Sequence, residues 1–93
     1  MIVGTLKVKL RVPDSHSLKE KRRVVKSIKD RLKSKFNISV SEVDALDSQQ
    51  IAVLGVATVS NDKRFVESVL SQVLNHIALN HFAQIVDREI EVF

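Results

Sequence analysis

Across residues 2–12, Ile2, Leu6, Val8, Leu10 and Val12 share one side of an extended chain, and Val3, Thr5, Lys7, Lys9 and Arg11 share the other. A period of two marks a strand covered on one face. Pro13-Asp14-Ser15-His16 breaks that pattern as a turn. From Ser17 to Lys35 the period lengthens, and Leu18, Val24, Val25, Ile28 and Leu32 fall on one arc of a helix at about 100° per residue. Ser17 and Glu20 have the spacing of a capping box, which marks the helix start.

A second strand is predicted over about 37–47. Its apolar phase moves from Ile38 and Val40 to Val43 and Ala45, so a bulge is expected near Ser41-Glu42. Asp47-Ser48-Gln49 reads as a short hairpin turn into a third strand over 50–59. Ile51, Ala52, Val53, Leu54, Val56, Ala57 and Val59 make that strand apolar on both faces, as a central strand would be. Ser60-Asn61-Asp62 supplies cap residues for a helix over 63–79, with Phe65, Val66, Val69, Leu70, Val73 and Ile77 on one arc and Asn80 as its stop. A fourth strand, 84–92, alternates Val86, Arg88, Ile90 and Val92 with Ile85, Asp87, Glu89 and Glu91. The order βαββαβ predicts an α+β, ferredoxin-like fold: a four-stranded antiparallel sheet, strands 1 and 3 central, both helices on one face. The 93 residues make one domain, 1–93. With 44% apolar but only 4% aromatic residues, its core is built from Val, Ile and Leu.

This topology sets Lys7, Lys9 and Arg11 beside Asp87, Glu89 and Glu91 on the open sheet face, where opposite charges pair across strands. These strand cations therefore read as a ladder rather than a nucleic-acid platform. Strand 3 offers Ala52, Leu54 and Val56, or their alternates, to the same uncovered face, a patch that would suit a homodimer.

Charge changes the picture at the first helix. Residues 17–35 hold nine basic residues against Glu20 and Asp30, a net +7 in a chain whose total is +4, so the remainder sums to −3. Lys19, Arg22, Arg23, Lys26, Lys29 and Lys33 occupy an arc adjoining the apolar one, interrupted only by Asp30. Like charges four apart, such as Lys19/Arg23, Arg22/Lys26 and Lys29/Lys33, each cost a helix about 0.2–0.5 kcal/mol. A helix that only covered a core would more usually alternate its signs. The stripe is read as an anion-binding face; the plainer alternative is a solvated face, with Lys33 and Lys35 favoured near the negative helix end.

Little else carries chemistry. The chain has no cysteine, so disulfides, thiolate metal sites and a cysteine nucleophile are excluded, and a cytoplasmic location is compatible. No run approaches the ~20 apolar residues of a membrane span, and Met1 opens directly into a strand pattern rather than a signal peptide. Gly4 and Gly55, the only glycines, cannot build a phosphate loop or dinucleotide fingerprint. Asp14, Ser15 and His16 are neighbours in sequence and poorly placed to converge as a triad, which leaves the role of His16 open. His76 and His81 lie on different sides of a helix and make a poor metal pair. Asp44 and Asp47 read as turn residues rather than a catalytic pair. A non-enzymatic protein without a cofactor is expected.

The RNA-recognition fold shares this topology, but it stacks bases on aromatics of strands 1 and 3. Here the four Phe, at 36, 65, 82 and 93, all lie elsewhere. Acylphosphatase needs a glycine-rich cradle with an arginine after strand 1, and Pro13–Ser17 supplies neither. What remains is phosphate contact from the basic stripe.

The segments Ser17-Leu18-Lys19-Glu20-Lys21-Arg22-Arg23-Val24-Val25-Lys26-Ser27 and Phe36-Asn37-Ile38-Ser39-Val40-Ser41-Glu42-Val43-Asp44, with Leu54-Gly55-Val56-Ala57 and Ile85-Val86-Asp87, resemble the YlxP-like family of small bacterial proteins. The likeness covers nearly the whole chain. It implies a ferredoxin-like fold and no catalytic residue. Genes of that family commonly lie near those for translation factors and ribosome-binding factor A, which implies a ribosome or RNA role. The expectation is a cytoplasmic module that binds structured RNA or ribosomal particles through Lys19, Arg22, Arg23, Lys26, Lys29 and Lys33. The alternative is a protein-interaction or dimerisation module, with the basic helix docked on an acidic partner.

Overall fold

The first helix starts where the capping spacing puts it. Ser17 Oγ accepts from the Glu20 N–H at 3.1 Å, and Glu20 Oε2 reaches back to accept from the His16 N–H at 2.7 Å, one residue beyond the usual partner. This is seen in a computed structural model that describes residues 1–93. Helix α1 runs Leu18–Lys35 and ends as Phe36 turns to extended backbone, its N–H donating to Leu32 O. In chain order β1 (Ile2–Arg11), α1, β2 (Ser39–Asp44), β3 (Ile51–Ser60), α2 (Lys63–Ala78) and β4 (Gln84–Val92) form the ferredoxin-like βαββαβ arrangement. The strands make one antiparallel sheet in the order β2-β3-β1-β4.

Both helices pack on one sheet face, α1 against β2 and β3, and α2 against β1, β3 and β4. Leu6, Val8 and Leu10 of β1 and Ala52, Leu54 and Val56 of β3 meet Val25, Ile28 and Leu32 of α1 and Val66, Leu70, Val73 and Ile77 of α2. Each Val, Leu or Ile side chain among them, fully buried, contributes about 1.5–3 kcal/mol. Gly4 permits the close seating of α2, because a methyl there would overlap Val66 Cγ1.

Several local expectations are corrected. Phe65 is 57% exposed, and Leu74 takes the buried place instead. Phe65 sits at the margin of the apolar arc in the first turn of α2, beyond the reach of the sheet. Strand β2 is shorter than its pattern suggested, and the bulge falls at Val43, between the pairs Glu42↔Leu54 and Asp44↔Val53. The turn after it is a longer loop, Ala45–Gln50, with Ala45 at φ 57°. A second bulge leaves Val86 of β4 unpaired between Lys9↔Asp87 and Leu10↔Ile85. That extra residue turns Ile85 onto the core side, where it packs half-buried, rather than onto the face of Asp87 and Glu89.

On the open face, Lys7 stands opposite Glu89 and Lys9 opposite Asp87, whereas Arg11 faces Gln84 and Glu91 faces Thr5. None of these pairs closes into a contact ion pair. Strand β3 presents Ile51, Val53, Gly55, Ala57 and Val59 there, the alternates of its core set. Val53 is nevertheless buried, so the exposed apolar patch is smaller than the bare alternation suggests.

Candidate nucleic-acid interface

The basic helix is fastened to the sheet by one of its own lysines. Lys21 is completely buried, and its Nζ donates to Ala45 O at 2.9 Å, Ile51 O at 3.0 Å and Leu46 O at 3.4 Å. An ammonium has three N–H groups, and three carbonyls take them. Glu42 Oε2 lies 3.0 Å from the same nitrogen but accepts no hydrogen bond, so it supplies charge alone. The loop after β2 thus wraps an internal cation, and α1 cannot slide without breaking that cage. Sequence reasoning passed over Lys21. The available signal was its position inside the arc of Ile28, Leu32 and Val25, where a helix at 100° per residue should carry an apolar side chain.

Five of the six stripe residues come together. Lys29, Arg22, Lys33, Lys26 and Lys19 lie within an arc of about 80° and span about 21 Å along the axis. They occupy the flank turned away from α2, above the β2 edge of the sheet. All are exposed except Lys29, which is half-buried. Lys26 donates to Asp30 Oδ2 at 2.7 Å in a solvent-exposed i,i+4 pair. The hydrogen bond from Lys26 holds the Asp30 carboxyl below its ordinary 3.8, with the charges of Lys26, Lys33 and Lys29 acting in the same direction. Lys19, Arg22, Lys29 and Lys33 have no carboxylate within salt-bridge reach. Here the stripe differs from the sheet face, where Lys7 and Lys9 look across at carboxylates.

Arg23 stands apart from the other five. It faces the opposite shoulder of α1, in a groove of about 530 Å³ closed on its far side by residues 79–82, the connection from α2 to β4. Val24, Ser27 and Arg31 line the helix wall, with Glu20 at one end. Leu79 and Phe82 face them, 74% and 63% exposed. The loop is fixed: Asn80 N–H donates to Ile77 O at 3.0 Å, Asn80 Oδ1 accepts from the Phe82 N–H at 2.8 Å, and Ala83 is buried. His81 lines the groove, while half-buried His76 packs edge-on against Phe36 with centroids 6.1 Å apart. His16 is exposed and is held through its backbone. No group of three or more His, Asp or Glu side chains is arranged to hold a metal. Asp44 Oδ1 accepts from the Ala45 N–H at 2.7 Å, as a turn residue does.

No helix is long and apolar enough to cross a membrane. In overall shape the chain is similar to a de novo designed protein, Foldit4 (TM-score 0.54, 18% identity, 98% of this chain and 96% of that one). It is also similar to a C-terminal segment of the alpha subunit of aIF2 from Pyrococcus abyssi (TM-score 0.52, 13% identity, 98% of this chain and 49% of that one). At such identities these likenesses establish the ferredoxin-like fold alone. In sequence it is similar to the uncharacterized protein YlxP of Bacillus subtilis (strain 168), 38% identical over 76 residues that cover 82% of this chain and 83% of that one. Residues 3–90 match the family described as "Protein of unknown function (DUF503)". The chain belongs to this YlxP-like DUF503 family.

Proposed function

We propose that the protein is a non-enzymatic cytoplasmic module that binds structured RNA, as free RNA or on ribosomal particles, through Lys19, Arg22, Arg23, Lys26, Lys29 and Lys33. One observation carries this reading: Lys19, Arg22, Lys29 and Lys33 stand on one helix flank with no carboxylate partner. An uncompensated row of cations destabilises its own helix, and a polyanion offsets that cost. The row matches an RNA helix in kind, because RNA duplexes are recognised through phosphates and shape rather than through base edges in their deep groove. Six phosphate contacts give a log–log salt slope of roughly −4 to −5.

The test is binding of a fluorescent RNA hairpin by the wild type and by R22E/K26E. Both positions are exposed, so the variant should keep its fold while losing at least tenfold in affinity. Equal binding by a folded R22E/K26E would remove the stripe from the mechanism.

Self-association through the open sheet face is a second reading, supported by Val43 and Val59 at 53% and 58% exposure. Its base is narrow, since only small, partly buried Gly55 and Ala57 lie between them and Val53, beyond Gly55, is buried. A solution mass that stays monomeric across a wide concentration range rules it out.

A further inference from the structure

The groove on the other shoulder of α1 has features that duplex-phosphate binding does not use. It combines an exposed aromatic ring, Phe82, with two arginines, Arg23 and Arg31, that stand about two turns apart on the same helix wall, eight residues and about 12 Å from each other. Neither arginine has a carboxylate within salt-bridge reach. The ring is not loosely hung. The Asn80–Phe82 hydrogen bond on one side and buried Ala83 on the other fix the backbone that carries it, yet 63% of the residue is left in solvent. Phe65 and Phe93 are about as exposed, but neither lines this groove.

We propose that this groove receives a single unpaired RNA base stacked on Phe82, with the flanking phosphates held by Arg23 and Arg31. The inference rests on the RNA reading of the basic stripe and names the class of RNA: a duplex carrying a bulged or looped-out nucleotide. Sequence-tolerant stacking needs one accessible π-face, and Phe82 supplies it away from the sheet, where β1 and β3 carry no aromatic residue. The volume, about 530 Å³, lies within the roughly 300–1,000 Å³ of small-ligand clefts. Leu79 adds an apolar wall, and Asn80, Ser27 and Glu20 set hydrogen-bonding groups around the rim for base edges. Arg23 sits about 40° of helix rotation from Lys19, so one RNA backbone can cross the crest of α1 from stripe to groove.

The experiment compares two RNA hairpins with the same stem, one fully paired and one with a single bulged 2-aminopurine. Affinity and 2-aminopurine fluorescence are followed for the wild type, F82A, F82L and R22E/K26E. The wild type should bind the bulged hairpin about tenfold or more tightly than the paired one and quench its fluorophore. F82A should lose that preference while still binding the paired stem, and F82L, which keeps apolar bulk without a ring, should lose the quench. Equal affinity of wild type and F82A for the bulged hairpin, or no preference by the wild type, overturns the base site. The stripe reading survives that outcome if R22E/K26E still abolishes paired-stem binding. Failure of the wild type to bind either hairpin overturns both.

Discussion

Replacing Lys21 with Met keeps an unbranched apolar stem of similar reach and removes the ammonium. In the wild type that group satisfies three carbonyls and neutralises Glu42, whose side chain is only 11% exposed. The variant leaves a carboxylate in a poorly solvated site with no counter-charge. Breaking a buried pair from one side costs about 3–5 kcal/mol. Carbonyls that lose a donor and stay dry cost about 1–3 kcal/mol each. Part of that second cost is recovered, because the Ala45–Gln50 loop borders solvent and Leu46 is 54% exposed. The expected total is therefore at least about 3–5 kcal/mol, which at about 4–8 °C per kcal/mol lowers Tm by at least ~12 °C. Thermal melts and urea titrations followed by circular dichroism measure it. The double variant K21M/E42L removes the stranded charge as well, but leaves the carbonyls of Ala45, Leu46 and Ile51 without their donor. It should recover at least about 1 kcal/mol relative to K21M and remain below the wild type. A K21M protein melting within ~2 °C of wild type, or a double variant no more stable than K21M, would refute the caged-cation account.

Further outcomes follow from one residue of that cage and from the one anion of the stripe. Ala45 holds a left-handed backbone conformation that costs an L-residue about 1–2 kcal/mol. A45G relieves this while keeping the carbonyl that Lys21 needs, and after the larger entropy loss of glycine it should raise stability by about 0.5–1 kcal/mol in a urea titration; a fall would mean that the alanine methyl matters more than the backbone. Asp30 is the one anion inside the stripe, and its depressed pKa means that its pairing with Lys26 is present above the ordinary 3.8 and lost as pH falls through the lower folded value. NMR titration should place the Asp30 midpoint below 3.8 in wild type and nearer 3.8 in K26A. At neutral pH, D30N should release Lys26 and tighten RNA binding about two- to fivefold; unchanged affinity would exclude Lys26 from the contact.

The element order was readable because each segment keeps one clear period, two in β1 and near 3.6 in α1 and α2, and because cap residues stand at Ser17 and Asp62. Bulge positions were less readable. An extra residue shifts the phase of every later position, and the pattern around 41–45 locates the shift only to within a residue or two. At Val86 a single extra residue put Ile85 and Asp87 on opposite faces, where alternation alone assigned them together. The basic stripe was legible since its members share one helix. The division of Arg23 from the rest was not, because the opposite wall of its groove comes from residues 79–82, more than fifty positions away. Lys21 was obscured by its charge, which groups it with its neighbours until its angular position is compared with that of Ile28 and Leu32.

The two bulges fall on β2 and β4, the strands that border the sheet. An open four-stranded sheet offers two rows of free backbone groups on which a further chain could template itself, the route by which such sheets fuse into fibrils. At each border one inserted residue, Val43 or Val86, disrupts the even spacing of donors and acceptors and adds local twist. Neither margin offers an unbroken ladder to a strand from outside. Exposed charges on the same strands, Asp44 on β2 and Asp87, Arg88, Glu89 and Glu91 on β4, act with the bulges against strand addition from outside.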